Sequence, residues 1–231
     1  SDETVSQAAA ANAAAMAAEQ ASAEADARAR NAKTTPMIVL AKMLRALRRP
    51  YHDKYYAMYS SIWDGVVTDP TLMVVPVDDH MVHRGDGVFE TFKCVAGSIY
   101  NLDAHMDRLR HSAAGLAFQL PWSGAELRRI IVETVRVGGR PDCLVRLLVS
   151  RGPGSFDVNP YDCEGPQCYV IVSHLKPSFQ ELHPEGAVLC SSTVPAKAGS
   201  YATIKNCNYL PNVLMKKETV DRGADFAIGF D

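Results

Sequence analysis

Apolar and polar positions change rhythm several times along the chain. Residues 1–35 are dominated by alanine with scattered acids and show no large apolar face, which predicts a frayed helix or a disordered tail. Residues 36–50 place Leu40, Leu44 and Leu47 at helical spacing among basic residues, between Pro36 and Pro50. They predict a short amphipathic helix that docks on the domain behind it.

From Tyr51 the pattern becomes that of mixed α and β sequence. Short strands are predicted at 56–62 and 72–77, with a turn at Asp69-Pro70. Val88–Val95 and Ser98–Asn101 alternate as a hairpin around Ala96-Gly97. Asp103 is a candidate cap for a helix to about Ala117, with Met106, Leu109, Ala113 and Leu116 inward. A second helix is predicted from Ser123 to Val137, opened by a capping box of Ser123 and Glu126. Strands follow at 143–150 and 168–174. Beyond a Pro-containing linker at 176–186, the expectation is a strand near 187–193, a helix at 210–221 and a strand at 225–230. The fold class is therefore α/β: an α+β small domain over 51–175, then the beginning of a larger α/β domain over 187–231. The chain ends straight after a predicted strand, which suggests a C-terminal truncation.

Composition narrows the class. The chain has 231 residues, 47% hydrophobic and 22% charged, with a formal net charge of −2. No basic excess points to nucleic acid, and no apolar run is long enough to span a bilayer. The six cysteines are irregularly spaced and lack a second metal-ligand pair, so they read as reduced thiols with no metal site. The first residues carry acids, which argues against a transit peptide. The cytoplasm is expected, with a plastid or another organelle as the alternative.

Lys205 is the candidate reactive group. It opens the segment leading into the last helix, flanked by Thr203, Ile204, Asn206 and Asn208 and not by charges. Such surroundings favour a neutral amine, the form that condenses with a carbonyl.

VHRGDGVFETF, NLDAHMDRLRHSA and IKNCNYLPNVLMKKE, in that order and spacing, resemble the class IV aminotransferases, the pyridoxal-phosphate enzymes of fold type IV. The resemblance runs from about Tyr55 to Asp231, and looks closest to the plant-type D-amino-acid aminotransferase and aminodeoxychorismate lyase branch. It implies that Lys205 forms the Schiff base with pyridoxal 5′-phosphate and shuttles the substrate proton. Arg108 matches the family's phosphate-binding arginine. Phe89 and Glu90, after Gly85 and Gly87, fall on the strand that lines the substrate pocket, where Phe89 replaces a tyrosine of bacterial D-amino-acid enzymes. Tyr209 matches a tyrosine near the cofactor, with a packed core tyrosine as the alternative. Arg151 enters the loop where those bacterial enzymes clamp the substrate carboxylate with an arginine and a histidine slightly farther on. GPGSFDVNP has neither. The family's glutamate partner for the pyridine nitrogen would fall beyond Asp231.

The activity so implied is transfer of an amino group from an amino acid, D-amino acids included, to a 2-oxo acid, by a homodimer when full length. The alternatives are pyruvate elimination from 4-amino-4-deoxychorismate and a non-catalytic relative or inactive fragment.

Overall fold

The computed structural model describes residues 16–24, 37–197 and 199–230. Internal contacts divide the chain into two units, 1–48 and 49–231. In the first, residues 16–24 (α1) are helical and exposed, and Met37–Leu47 forms α2. Leu44 is half-buried and Leu47 exposed, while the side chain of Leu40 and the rest of the alanine-rich stretch lie outside the described residues.

The second unit is built on a six-stranded antiparallel sheet in the order β2-β1-β6-β5-β3-β4. Its strands are β1 (Tyr55–Ser60), β2 (Gly65–Val67), β3 (Gly87–Val95), β4 (Ser98–Ile99), β5 (Cys143–Ser150) and β6 (Gln167–His174). The register of β3 on β5 runs without interruption from Gly87 opposite Ser150 to Cys94 opposite Cys143. Two-residue periodicity sends Val88, Phe92, Val145, Leu147, Val149, Val170 and Val172 to one face. Two helices cover that face: α4 (Leu102–Gly115) brings Met106, Leu109 and Ala113, and α5 (Gly124–Gly138) brings Leu127, Ile130 and Ile131.

Local chemistry explains most boundaries. Ser123 Oγ accepts from Glu126 N–H at 3.2 Å and Glu126 Oε2 accepts from Ser123 N–H at 2.7 Å, the expected capping box. Gly139 ends the same helix at φ +64°. Ala96 and Gly97 both have positive φ, the turn whose twist matches the hairpin. All six cysteines carry free thiols.

Two expectations need correction. Residues 72–77 are not a strand: Asp69 caps a 3₁₀ turn at Pro70–Leu72, and the edge of β1 is taken by Gly65–Val67. Pro76 removes a ladder donor from that stretch. Asp103 is not the cap of α4, which starts at Leu102 after Asn101 in a left-handed conformation. Asp103 instead pairs with Arg128 of α5.

After a short turn of helix, α6 (Phe179–Leu182), comes a parallel pair, β7 (Leu189–Ser191) and β8 (Phe226–Ile228), connected through α7 (Leu210–Asp221). A parallel pair with an intervening helix is the βαβ unit from which α/β domains are built. The remaining helix, α3 (His80–Arg84), ends at Gly85 with φ +68° immediately before β3.

Candidate active site

Lys205 lies on an extended segment zipped to the first residues of β3. Phe89 N–H donates to the Lys205 carbonyl at 3.1 Å, and Cys207 N–H donates to the Gly87 carbonyl at 2.8 Å. Asn206 faces Val88 across the same bridge. From the other side, Lys205 N–H donates to Ser112 Oγ of α4 at 3.1 Å, and Ser112 is fully buried. Ile204 is buried just ahead of the lysine, against Gly115. The lysine backbone is thus fixed by a strand and a helix from far upstream.

Two close approaches explain the glycines of RGDG. A Cβ on Gly87 would sit 2.9 Å from the Val149 carbonyl oxygen. One on Gly85 would meet Asn208 backbone atoms at 3.1 Å, from a left-handed backbone that already favours glycine.

The lysine side chain opens on a cavity of about 500 Å³, lined among others by Arg108, Lys197, Thr203, Tyr209, Asn212 and Met215. Lys205 Nζ stands 4.0 Å from the centre of the Phe89 ring and 5.6 Å from that of Tyr209. The two rings meet edge to face at 5.1 Å. Aromatic faces attract the ammonium form and shape the cavity wall.

Arg108 reaches the cavity from α4 with its guanidinium held from behind. Its Nε donates to Glu90 Oε1 at 2.7 Å and its Nη2 to Glu90 Oε2 at 2.6 Å. His105 Nδ1 lies 2.8 Å from the same carboxylate. Burial works to raise the Glu90 pKa, but the hydrogen bonds from Arg108 and His105 outweigh it and hold the carboxyl below its usual range. The bidentate pair leaves the Nη1 edge of Arg108 for an anion. Lys197 Nζ donates to Asn206 Oδ1 at 3.0 Å and lies 5.3 Å from the Tyr209 ring centre. Burial and the neighbouring Lys205 push its pKa down.

The predicted residues therefore divide. Lys205, Arg108 and Tyr209 line one cavity, with Phe89 beneath the lysine. Glu90 is fully buried behind Arg108 and does not line the cavity. Arg151 does not line it either. Its Nε and Nη2 donate to Asp86 at 2.5 and 3.2 Å, Nη2 also donates to the Leu116 carbonyl at 2.7 Å, and the guanidinium covers the Phe118 ring. The sequence reading missed Lys197, Ser112 and His105. His105 and Arg108 share a helix face at i, i+3, a signal that was available. Lys197 sits in an irregular loop, where no periodicity marks it.

The family model for amino-transferase class IV matches residues 87–231. The chain is 44% identical over 171 residues to a chloroplastic D-amino-acid transaminase of Arabidopsis thaliana, covering 74% of this chain and 45% of that one. It is 32% identical to an aminodeoxychorismate lyase of Bacillus subtilis, covering 61% of this chain and 48% of that one. Among solved structures, a T.th. branched-chain amino acid aminotransferase with pyridoxamine 5′-phosphate superposes with a TM-score of 0.68 at 26% identity, over 77% of this chain and 60% of that one. The chain belongs to the class IV aminotransferase family and has the fold of the fold type IV enzymes. It spans about half the length of these two curated relatives.

Proposed function

We propose that the protein of which this chain is part is a pyridoxal-phosphate-dependent aminotransferase that moves an amino group from an amino acid to a 2-oxo acid. The observation that carries this is Lys205, fixed by β3 and α4 and opening with Arg108 on one cavity. Pyridoxal phosphate fits that donor set: a primary amine for its aldehyde and a half-exposed guanidinium edge for its phosphate. When bound, the cofactor supplies an electron sink for the charge left as a bond at the substrate α-carbon breaks. Lys205 would hold the cofactor through its Nζ, and the same amine is the base placed to move the proton at the substrate α-carbon. Glu90 and His105 fix the Arg108 guanidinium, so that its free edge needs no reorganisation to meet an anion. Phe89 and Tyr209 flank the amine, with ring centres 4.0 and 5.6 Å from Nζ.

D-amino acids are the donor class supported by the 44% identity to the Arabidopsis enzyme. The chloroplastic designation of that enzyme likewise supports a plastid over the cytoplasm. No described helix is long and apolar enough to cross a membrane. The family resemblance supports a homodimer, to be read by light scattering.

The test is borohydride reduction of the chain with pyridoxal phosphate, followed by peptide mapping. The expected result is a pyridoxyl group on the peptide carrying Lys205, lost in Lys205→Ala. Label spread over surface lysines overturns the reading. The identity to a lyase favours one second reading, elimination of pyruvate from 4-amino-4-deoxychorismate. Pyruvate release without added oxo acid selects it.

A further inference from the structure

Three cationic side chains line the cavity, those of Arg108, Lys197 and Lys205, and no carboxylate does so among the described residues. Arg108 has its countercharge in Glu90. Among the described residues, Lys197 meets the Asn206 amide oxygen and the Tyr209 ring and pairs with no carboxylate. A part-buried ammonium with no countercharge beside it is costly to hold unless an anion joins it.

The placement of Lys197 is built. Its loop is tied down by Ala196 N–H donating to the Phe230 carbonyl at 3.1 Å. Its head is held by Asn206, the residue after Lys205 and itself buried against β3. The backbone segment that fixes the reactive lysine therefore also sets the second lysine.

We propose that Lys197 binds the α-carboxylate of the amino-acid and 2-oxo-acid substrates, an assignment that rests on the aminotransferase reading above. In an amino acid the carboxylate and the reacting amine share one carbon. The cation for the carboxylate must therefore stand beside the group that meets the amine. Lys197 is the cation so placed: its Nζ and that of Lys205 lie 5.3 and 5.6 Å from the centre of the same Tyr209 ring, and both residues line one cavity. The Arg108 fork already has two donors on Glu90, and its remaining edge suits the phosphate of the cofactor. Arg151, in the loop where other members of the family clamp a carboxylate, commits its Nε and Nη2 to Asp86 and the Leu116 carbonyl and does not line the cavity. Lys197 takes over the task from a different loop.

The experiment compares the unaltered chain with Lys197→Ala and Lys197→Arg, each loaded with pyridoxal phosphate. The probe is 4-methylvaleric acid, a carboxylate with no amine or oxo group to react, alongside its neutral amide. Calorimetry gives the Kd, and borohydride trapping reads the Lys205 adduct separately. Loss of one charge-assisted hydrogen bond should weaken the acid about tenfold to a hundredfold in Lys197→Ala. The amide should bind alike in all three chains, the adduct should persist, and Lys197→Arg should keep the acid within a few-fold of the parent (about threefold at most). Acid affinity unchanged in Lys197→Ala, with the adduct intact, overturns the role of Lys197 while leaving the cofactor reading standing. So does a selective loss of affinity for pyridoxal phosphate relative to pyridoxal, which would make Lys197 a phosphate ligand. An unaltered chain that forms no adduct on Lys205 overturns the cofactor reading first, and the carboxylate role with it.

Discussion

Glu90 is a fully buried carboxylate whose two oxygens are taken up by Arg108 and His105. Its folded pKa lies below its ordinary value, so its contribution to stability is complete above that value, about 4.3, and is lost as pH falls through the folded pKa. Glu90→Gln should lower unfolding stability by roughly 1–3 kcal/mol near neutrality, the smaller figure applying if Arg108, half-exposed, swings into water. Urea titrations at several pH values should show the gap between variant and parent closing below the ordinary carboxylate range. A gap independent of pH would mean that packing, and not charge, keeps Glu90. Gly87→Ala tests a different physics. The new methyl would press on the Val149 carbonyl inside a paired strand that cannot retreat cheaply. We expect a loss of about 1–3 kcal/mol. The lysine segment should loosen with it, because Cys207 N–H is bonded to the carbonyl of the same glycine. An unchanged urea midpoint would show that β5 yields.

At the scale of elements, capping decides what could be read in advance. Ser123 and Glu126 mark the start of α5 in the sequence because both partners of the box are local. Ser123→Ala should cost about 1 kcal/mol of thermal stability and leave borohydride labelling of Lys205 untouched. Labelling lost together with the cap would mean that α5 reaches the site. The hairpin of β3 and β4 was legible for the same reason, its turn residues being adjacent. Residues 72–77 misled because their apolar, β-branched composition matches a strand, while the edge they would occupy is decided by a neighbour, Gly65–Val67, through non-local pairing. The start of α4 was misplaced by two residues because Asn101 adopts a left-handed backbone, which leaves no periodic trace.

Over the whole molecule, the site is assembled from the start of β3, the middle of α4 and the loop-and-helix region from 195 to 215. Its ordered motifs were visible because each is contiguous. The bonds between them were not, since Glu90 to Arg108 and Ser112 to Lys205 join residues by their third dimension. Lys197 was missed on the same ground: its meaning comes from its distance to Asn206 and Tyr209, not from its neighbours in the chain.

The zipper between Gly87–Phe89 and Lys205–Cys207 carries a mechanical consequence. Any opening that parts the parallel βαβ unit from the six-stranded sheet along this seam must first break the two bonds that seat the lysine. A cofactor joined to Lys205 and gripped by Arg108 of α4 would then act as a clasp across the seam. Hydrogen exchange at the Phe89 and Cys207 amides should slow together when pyridoxal phosphate is trapped, while amides at the far edge of the sheet, in β2, keep their rate. The reactive amine would in that way double as the fastener of its own architecture.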